Sequence, residues 1–123
     1  MTIGLGIDLI DVKRIEAALE RTPRFLIRVY SDSEQALIRQ KGAETAAGFF
    51  AAKEAVAKAL GTGFRGFSTQ NISIEEDELG CPHAVLSEGA LARFKEIGGN
   101  RVIISVTHAG GMAAAVAIIE NNA

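Results

Sequence analysis

The chain has 123 residues, 48% hydrophobic and 23% charged, which implies one globular domain over 1–123 and excludes a disordered chain. A net charge of −2 argues against nucleic-acid binding, and one cysteine, Cys81, allows no internal disulfide; one thiol and two histidines do not make a zinc site without carboxylates. No run of about 18 apolar residues is present to span a membrane and no basic-then-apolar leader opens the sequence, so a cytoplasmic protein is expected.

Residues 3–10 read as an apolar strand, with Ile3, Leu5, Ile7 and Leu9 on one face and Asp8 on the other. Asp11 is placed to cap a helix over about 12–20. Thr22-Pro23 has the look of an N-cap and first helical position, opening a short helix through Tyr30. Ser31 and Glu34 have capping-box spacing for a helix over about 32–41, ended by Gly42. A long alanine-rich helix over 44–60 follows, then a loop at Gly61, Gly63 and Gly66. Strands are expected at Asn71–Glu76 and His83–Leu86, and a helix from Ser87 to about Ile97. The last element is a hairpin, Arg101–Thr107 and Met112–Glu120, with His108 to Gly111 as its loop. The class is α+β.

The chemistry-bearing residues are few. Asp8 interrupts an apolar strand, where an unpaired carboxylate is costly; it is either paired with a cation or a ligand to a metal ion. Glu54 and Lys58 are an i, i+4 pair, ordinary on a surface helix. Here their neighbours are alanine, glycine and phenylalanine, so the helix is internal and its charges, Lys53 included, call for a purpose. Gly61, Thr62 and Gly63 form either a helix cap or a backbone cradle for a phosphate, and His108 is either a turn residue or a phosphate or base contact. Residues 12–28 hold five basic side chains against two acidic ones in an acidic protein. Arg14, Arg21, Arg24 and Arg28, with Phe25 as an apolar anchor, form either a solvated face or a docking surface for an acidic helical partner.

Three stretches carry a resemblance: Gly4-Leu-Gly-Ile-Asp8 through Ile15, Phe50-Ala-Ala-Lys-Glu54-Ala-Val-Ala-Lys58 through Gly63, and Ile104-Ser-Val-Thr-His108. Together they resemble the holo-[acyl-carrier-protein] synthases, the small bacterial class of 4′-phosphopantetheinyl transferases, over nearly the whole chain. The resemblance implies a small fold of mostly antiparallel sheet against a long central helix. It also implies magnesium-dependent transfer of the phosphopantetheine arm of coenzyme A to a serine of apo acyl carrier protein, releasing adenosine 3′,5′-bisphosphate in support of fatty acid synthesis. Homotrimers with active sites between subunits are expected. Asp8 and Glu54 match the magnesium ligands and Lys58 the lysine at the pyrophosphate, the three forming the catalytic set. Gly61, Thr62, Gly63, Pro82 and His108 fall where the family holds coenzyme A, and Arg14, Arg21, Arg24, Phe25 and Arg28 match the carrier-protein surface. Glu54 is the candidate to take the proton of the attacking serine.

The sequence departs from the family pattern at three positions. Phe49 stands where an arginine is usual, a gap that Lys41 or Arg65 would have to fill. Cys81 stands where a basic residue is common, and Ala109 where some relatives carry an acid. Two other readings stay open: a coenzyme A or nucleotide-binding module without turnover, supported by Phe49, and a carrier-binding protein that uses the arginine face without chemistry. Neither of them needs both carboxylates and the lysine.

Overall fold

The structure is a computed structural model and describes residues 1–122. The elements in order are β1 (Thr2–Asp11), α1 (Val12–Arg21), α2 (Phe25–Val29), α3 (Asp32–Lys41), α4 (Ala43–Ala59), a 3-10 turn (Thr69–Asn71), β2 (Ile72–Glu76), β3 (Pro82–Leu86), α5 (Glu88–Glu96), β4 (Arg101–Ala109) and β5 (Met112–Glu120). All strand pairing is antiparallel, in a three-stranded sheet ordered β1–β5–β4 and a separate β2–β3 hairpin. The expected α+β arrangement is present, with α4 as its axis. No helix among the described residues is long and apolar enough to cross a membrane.

Helix starts follow local chemistry. The Asp11 carboxylate accepts the Lys13 amide at 2.8 Å and opens α1. Ser31 and Glu34 form the reciprocal capping box of α3, and Gly42, at φ 100°, ends α3 and begins α4. Thr22 does not open α2. It is already the C-cap of α1, its amide bonded to the Ala18 carbonyl, and Pro23 and Arg24 form a turn ahead of a five-residue helix. The terminal hairpin also departs from expectation. Gly110 and Gly111, at φ 58° and 79°, close a two-residue turn whose twist suits the flanking strands, so β4 continues through His108, which pairs with Ala113.

α4 lies across the inner face of the three-stranded sheet, and small residues make that contact. Ala46, Ala47, Ala51, Ala52, Ala55 and Ala57 are completely buried, as are Ala113 and Ala117 of β5. Gly4 and Gly6 of β1 lie directly against the carbonyls of Ala59 and Ala55, where a Cβ would overlap the oxygen. The opposite face of the sheet is apolar but uncovered: Leu5, Ile7 and Leu9 are 66%, 67% and 64% exposed, beside the half-buried Val116 and Ile118. β5 therefore presents apolar side chains on both faces, of which α4 covers one.

A buried ion pair joins α3 to α4. Lys53, 1% exposed, lies 2.7 Å from the fully buried Glu34, whose carboxylate also accepts the amides of Ser31 (2.7 Å) and Ile74 (2.6 Å). The Lys53 ammonium donates to the carbonyls of Thr69 and Ile72 and lies 5.8 Å from the Tyr30 ring centre. Burial pulls the Lys53 pKa down while the Glu34 charge opposes the shift. Removing one partner of such a pair leaves a buried charge without compensation. Lys53→Met is therefore expected to lower unfolding free energy by about 3–5 kcal/mol. Lys41→Met, which breaks the partly exposed pair with Glu76, is expected to cost about 0–1 kcal/mol. Urea denaturation of the two variants measures both.

Candidate active site

The close approach of β1 to α4 sets the first cluster. Residues of β1 alternate, so Asp8 follows Gly4 and Gly6 on the face turned toward α4. Lys58, near the C-terminal end of α4, places its ammonium 3.2 Å from the Asp8 carboxylate and donates to the Ile7 carbonyl at 2.9 Å. Glu54 lies one turn earlier, half-buried, its carboxylate accepting no hydrogen bond from a described residue. Burial raises its pKa above the usual carboxylate range; the Asp8 charge adds to the rise and Lys58 opposes it. The cation paired with Asp8 is a lysine from α4.

Two neighbouring carboxylates, one of them half-buried without a donor, suit a bound divalent cation. Among the described residues no group of three or more histidine, cysteine, aspartate or glutamate side chains is placed to hold a metal. That donor count fits magnesium, which takes one or two carboxylates and fills its octahedron with water and phosphate oxygens. Zinc or calcium bound wholly by protein would need more ligands.

The loop after α4 resolves one of the open readings. Gly61 and Gly63 have positive φ, and their amides bond back to the carbonyls of Lys58 (3.0 Å) and Ala57 (3.2 Å), so this is a helix C-cap. Those two donors are not free to cradle a phosphate. The Thr62 hydroxyl donates to the Gly63 carbonyl at 2.9 Å. Arg93 of α5 completes the cap, donating from Nε to the Leu60 carbonyl at 2.9 Å. Positive charge at this end of the helix comes from Lys58, Arg93 and the exposed Arg65.

A second cluster lies at the other edge of the sheet. Pro82 and His108 line a cleft of about 170 Å³ with Thr45, Gly48, Phe49 and Glu76. His108 Nε2 is 2.9 Å from the Glu44 carbonyl, and a methyl at Gly48 would sit 3.0 Å from that nitrogen. Phe49, the departure from the family pattern, is buried and forms part of the cleft wall. Lys41 pairs with Glu76 at 2.9 Å, bringing a cation to the rim. Asp8 and His108 thus stand on the two outer strands, β1 and β4, with β5 between them. One chain brings together Asp8, Glu54 and Lys58, and separately Pro82 and His108.

Arg14, Arg21, Arg24 and Arg28 are exposed on α1 and α2 and the turn between, and none forms an ion pair with a described residue. Phe25 is half-buried, stacked on Phe50 with ring centres 6.4 Å apart and edge-on to Tyr30 at 6.0 Å. The outward-facing apolar side chain of α2 is Ile27, 55% exposed. Sequence reasoning missed Arg93 and the burial of Glu34 with Lys53. Lys53 on an internal helix was the only signal for the latter, and nothing local marks the partner.

In the metal-free protein, Lys58→Met is expected to raise the Glu54 pKa further, because Lys58 opposes the shift. Asp8→Asn is expected to lower it by removing the like charge. A carbon-13 carboxyl titration distinguishes the two directions.

Residues 4–117 match the family described as the 4′-phosphopantetheinyl transferase superfamily. The chain is 43% identical to the holo-[acyl-carrier-protein] synthase of Clostridium acetobutylicum, over 98% of both chains. Among solved structures, it resembles the Neisseria meningitidis holo-[acyl-carrier-protein] synthase with a TM-score of 0.89 and 34% identity, covering 98% of this chain and 100% of that one. It also resembles the Helicobacter pylori enzyme in complex with coenzyme A, with a TM-score of 0.84, 33% identity and coverage of 94% and 99%.

Proposed function

Because the chain belongs to the 4′-phosphopantetheinyl transferase superfamily, we propose that it is a holo-[acyl-carrier-protein] synthase whose chemistry centres on Asp8, Glu54 and Lys58. It transfers the 4′-phosphopantetheine group of coenzyme A to a serine of apo acyl carrier protein. The observation that carries the residue assignment is the meeting of two carboxylates and a lysine at the contact of β1 with α4.

In the reaction, the serine oxygen attacks the phosphorus that bears the pantetheine arm. The bond from that phosphorus to the bridging oxygen breaks, and adenosine 3′,5′-bisphosphate leaves. Asp8 and Glu54 would hold magnesium, which supplies positive charge to the pyrophosphate oxygens. Lys58 adds a second positive charge on the same side and keeps the Asp8 carboxylate in place. Glu54, directly or through a metal-bound water, takes the serine proton. Around the cleft, Pro82 and His108 hold the nucleotide end, and Lys41 stands where it can replace the cation missing at Phe49. The arginines of α1 and α2 receive the acidic carrier. The same reading places the protein in the cytoplasm, where holo acyl carrier protein supports fatty acid synthesis.

The intact mass of apo acyl carrier protein, incubated with this protein, coenzyme A and magnesium, is expected to rise by one phosphopantetheine. Chelation with EDTA is expected to abolish the gain, and Asp8→Asn and Glu54→Gln to slow it at least about a hundredfold. Transfer that persists in EDTA would remove the metal from the reading. Binding of coenzyme A without transfer to any carrier would favour the non-catalytic module.

The same reading includes a homotrimer. Two features support it: the uncovered apolar face of Leu5, Ile7 and Leu9, and the division of the site between the two outer strands. In a closed ring the β1 edge of one protomer meets the β4 edge of the next, which unites the two clusters. Asp8→Asn and His108→Ala proteins, each inactive alone, should then regain up to about a quarter of wild-type activity when mixed and allowed to exchange subunits. No recovery would mean that one chain holds the whole site.

A further inference from the structure

α2 is five residues long, with Arg24 at its start and Arg28 in its last turn. A helix of that length has no stability of its own. Its N-cap, Arg24, makes no side-chain capping bond, so the helix depends on its apolar side and its C-terminal carbonyls. Phe25, set between Phe50 and Tyr30, supplies the first. The carbonyls are taken by side chains from the 3-10 turn more than forty residues later. Gln70 Nε2 donates to the carbonyls of Ile27 and, at 3.2 Å, Tyr30. The Thr69 hydroxyl reaches the Arg28 carbonyl at 3.4 Å, and Gln35 adds a bond to the Tyr30 carbonyl at 2.8 Å.

The turn that does this is itself fixed to α4. Ser68 and Asn71 close a capping box around it, and the Thr69 carbonyl accepts from the Lys53 ammonium at 2.8 Å. Lys53 directly precedes Glu54. A continuous set of hydrogen bonds therefore runs from the helix that carries the reacting carboxylate, through Thr69 and Gln70, to the helix that carries the arginines. Gln70 is exposed and touches neither carboxylate cluster, so this geometry is what it contributes.

We propose that Gln70 is a positioning residue for carrier-protein recognition: it holds α2 in place against the rest of the fold, so that Arg24 and Arg28 present a preformed docking face to the carrier. This inference rests on the reading of the α1–α2 surface as the carrier-docking face. A neutral amide suits the task, since it satisfies the carbonyls without pairing with Arg28, whose guanidinium stays available to an acidic partner.

Steady-state kinetics of Gln70→Met, which keeps the shape and loses the donor, test the proposal beside Gln70→Lys, which restores a donor, and Arg28→Glu, which alters the docking face directly. Gln70→Met is expected to raise KM for the carrier protein about five- to tenfold, with kcat and KM for coenzyme A changed less than about twofold. Gln70→Lys is expected to recover most of that loss, and the melting temperature of both variants to stay near wild type. If Arg28→Glu raises KM for the carrier and Gln70→Met does not, the docking face stands and the positioning role is overturned. If neither raises it, the docking reading fails and takes the inference with it. A rise in both KM values, or a fall in kcat, would make Gln70 a general structural residue and overturn the proposal.

Discussion

The whole molecule depends on how closely β1 approaches α4. That approach is possible because Gly4 and Gly6 present bare backbone to the carbonyls of Ala59 and Ala55. Glycine on the strand and alanine on the helix reduce the layer between them to almost nothing. A larger residue on either side would push the helix out by the width of a methyl group or more, and Lys58 would no longer reach Asp8 across a 3.2 Å gap. The residues that look least chemical in the sequence therefore set the geometry of the most chemical ones.

The internal helix also explains the charge economy of the core. Lys53 and Glu54 are adjacent and point in different directions around α4. Lys53 is locked in a buried network with Glu34, Thr69 and Ile72, while Glu54 has burial without a donor. Full satisfaction makes the first a structural fixture, and incomplete satisfaction leaves the second responsive to a cation or a proton. The same sequence spacing produces both, and only the partners brought by the fold separate them.

Much of this was legible before any coordinates. Caps declare themselves locally, so Asp11, the Ser31–Glu34 box and Gly42 fixed the helix starts, and the alanine run identified the central helix. The pairing of Asp8 with the Glu54–Lys58 face rested on motif resemblance, because no periodicity can reveal which strand meets which helix. Thr22 misled because one residue had two local roles open to it and tertiary context chose the earlier helix. His108 misled because the twin glycines, read as part of a longer loop, are a complete turn by themselves. The Glu34–Lys53 pair and the Gln70 contacts join residues 19 and at least 40 positions apart, and sequence alone gives such pairs no signature.

The C-cap after α4 has one more consequence. Because Gly61 and Gly63 return their amides to the helix, the proposed contact of Lys58 with the pyrophosphate relies on a flexible cationic side chain and not on a rigid ring of backbone donors. Lys58 and Arg65 are exposed to solvent, where mobile ions compete directly for their charge. Attraction of this kind is long-ranged in dilute buffer and fades over roughly 8–10 Å near physiological ionic strength. On the proposed assignment, the grip of Lys58 on coenzyme A is thus tied to the salt content of its surroundings in a way that a loop of fixed backbone amides would not be.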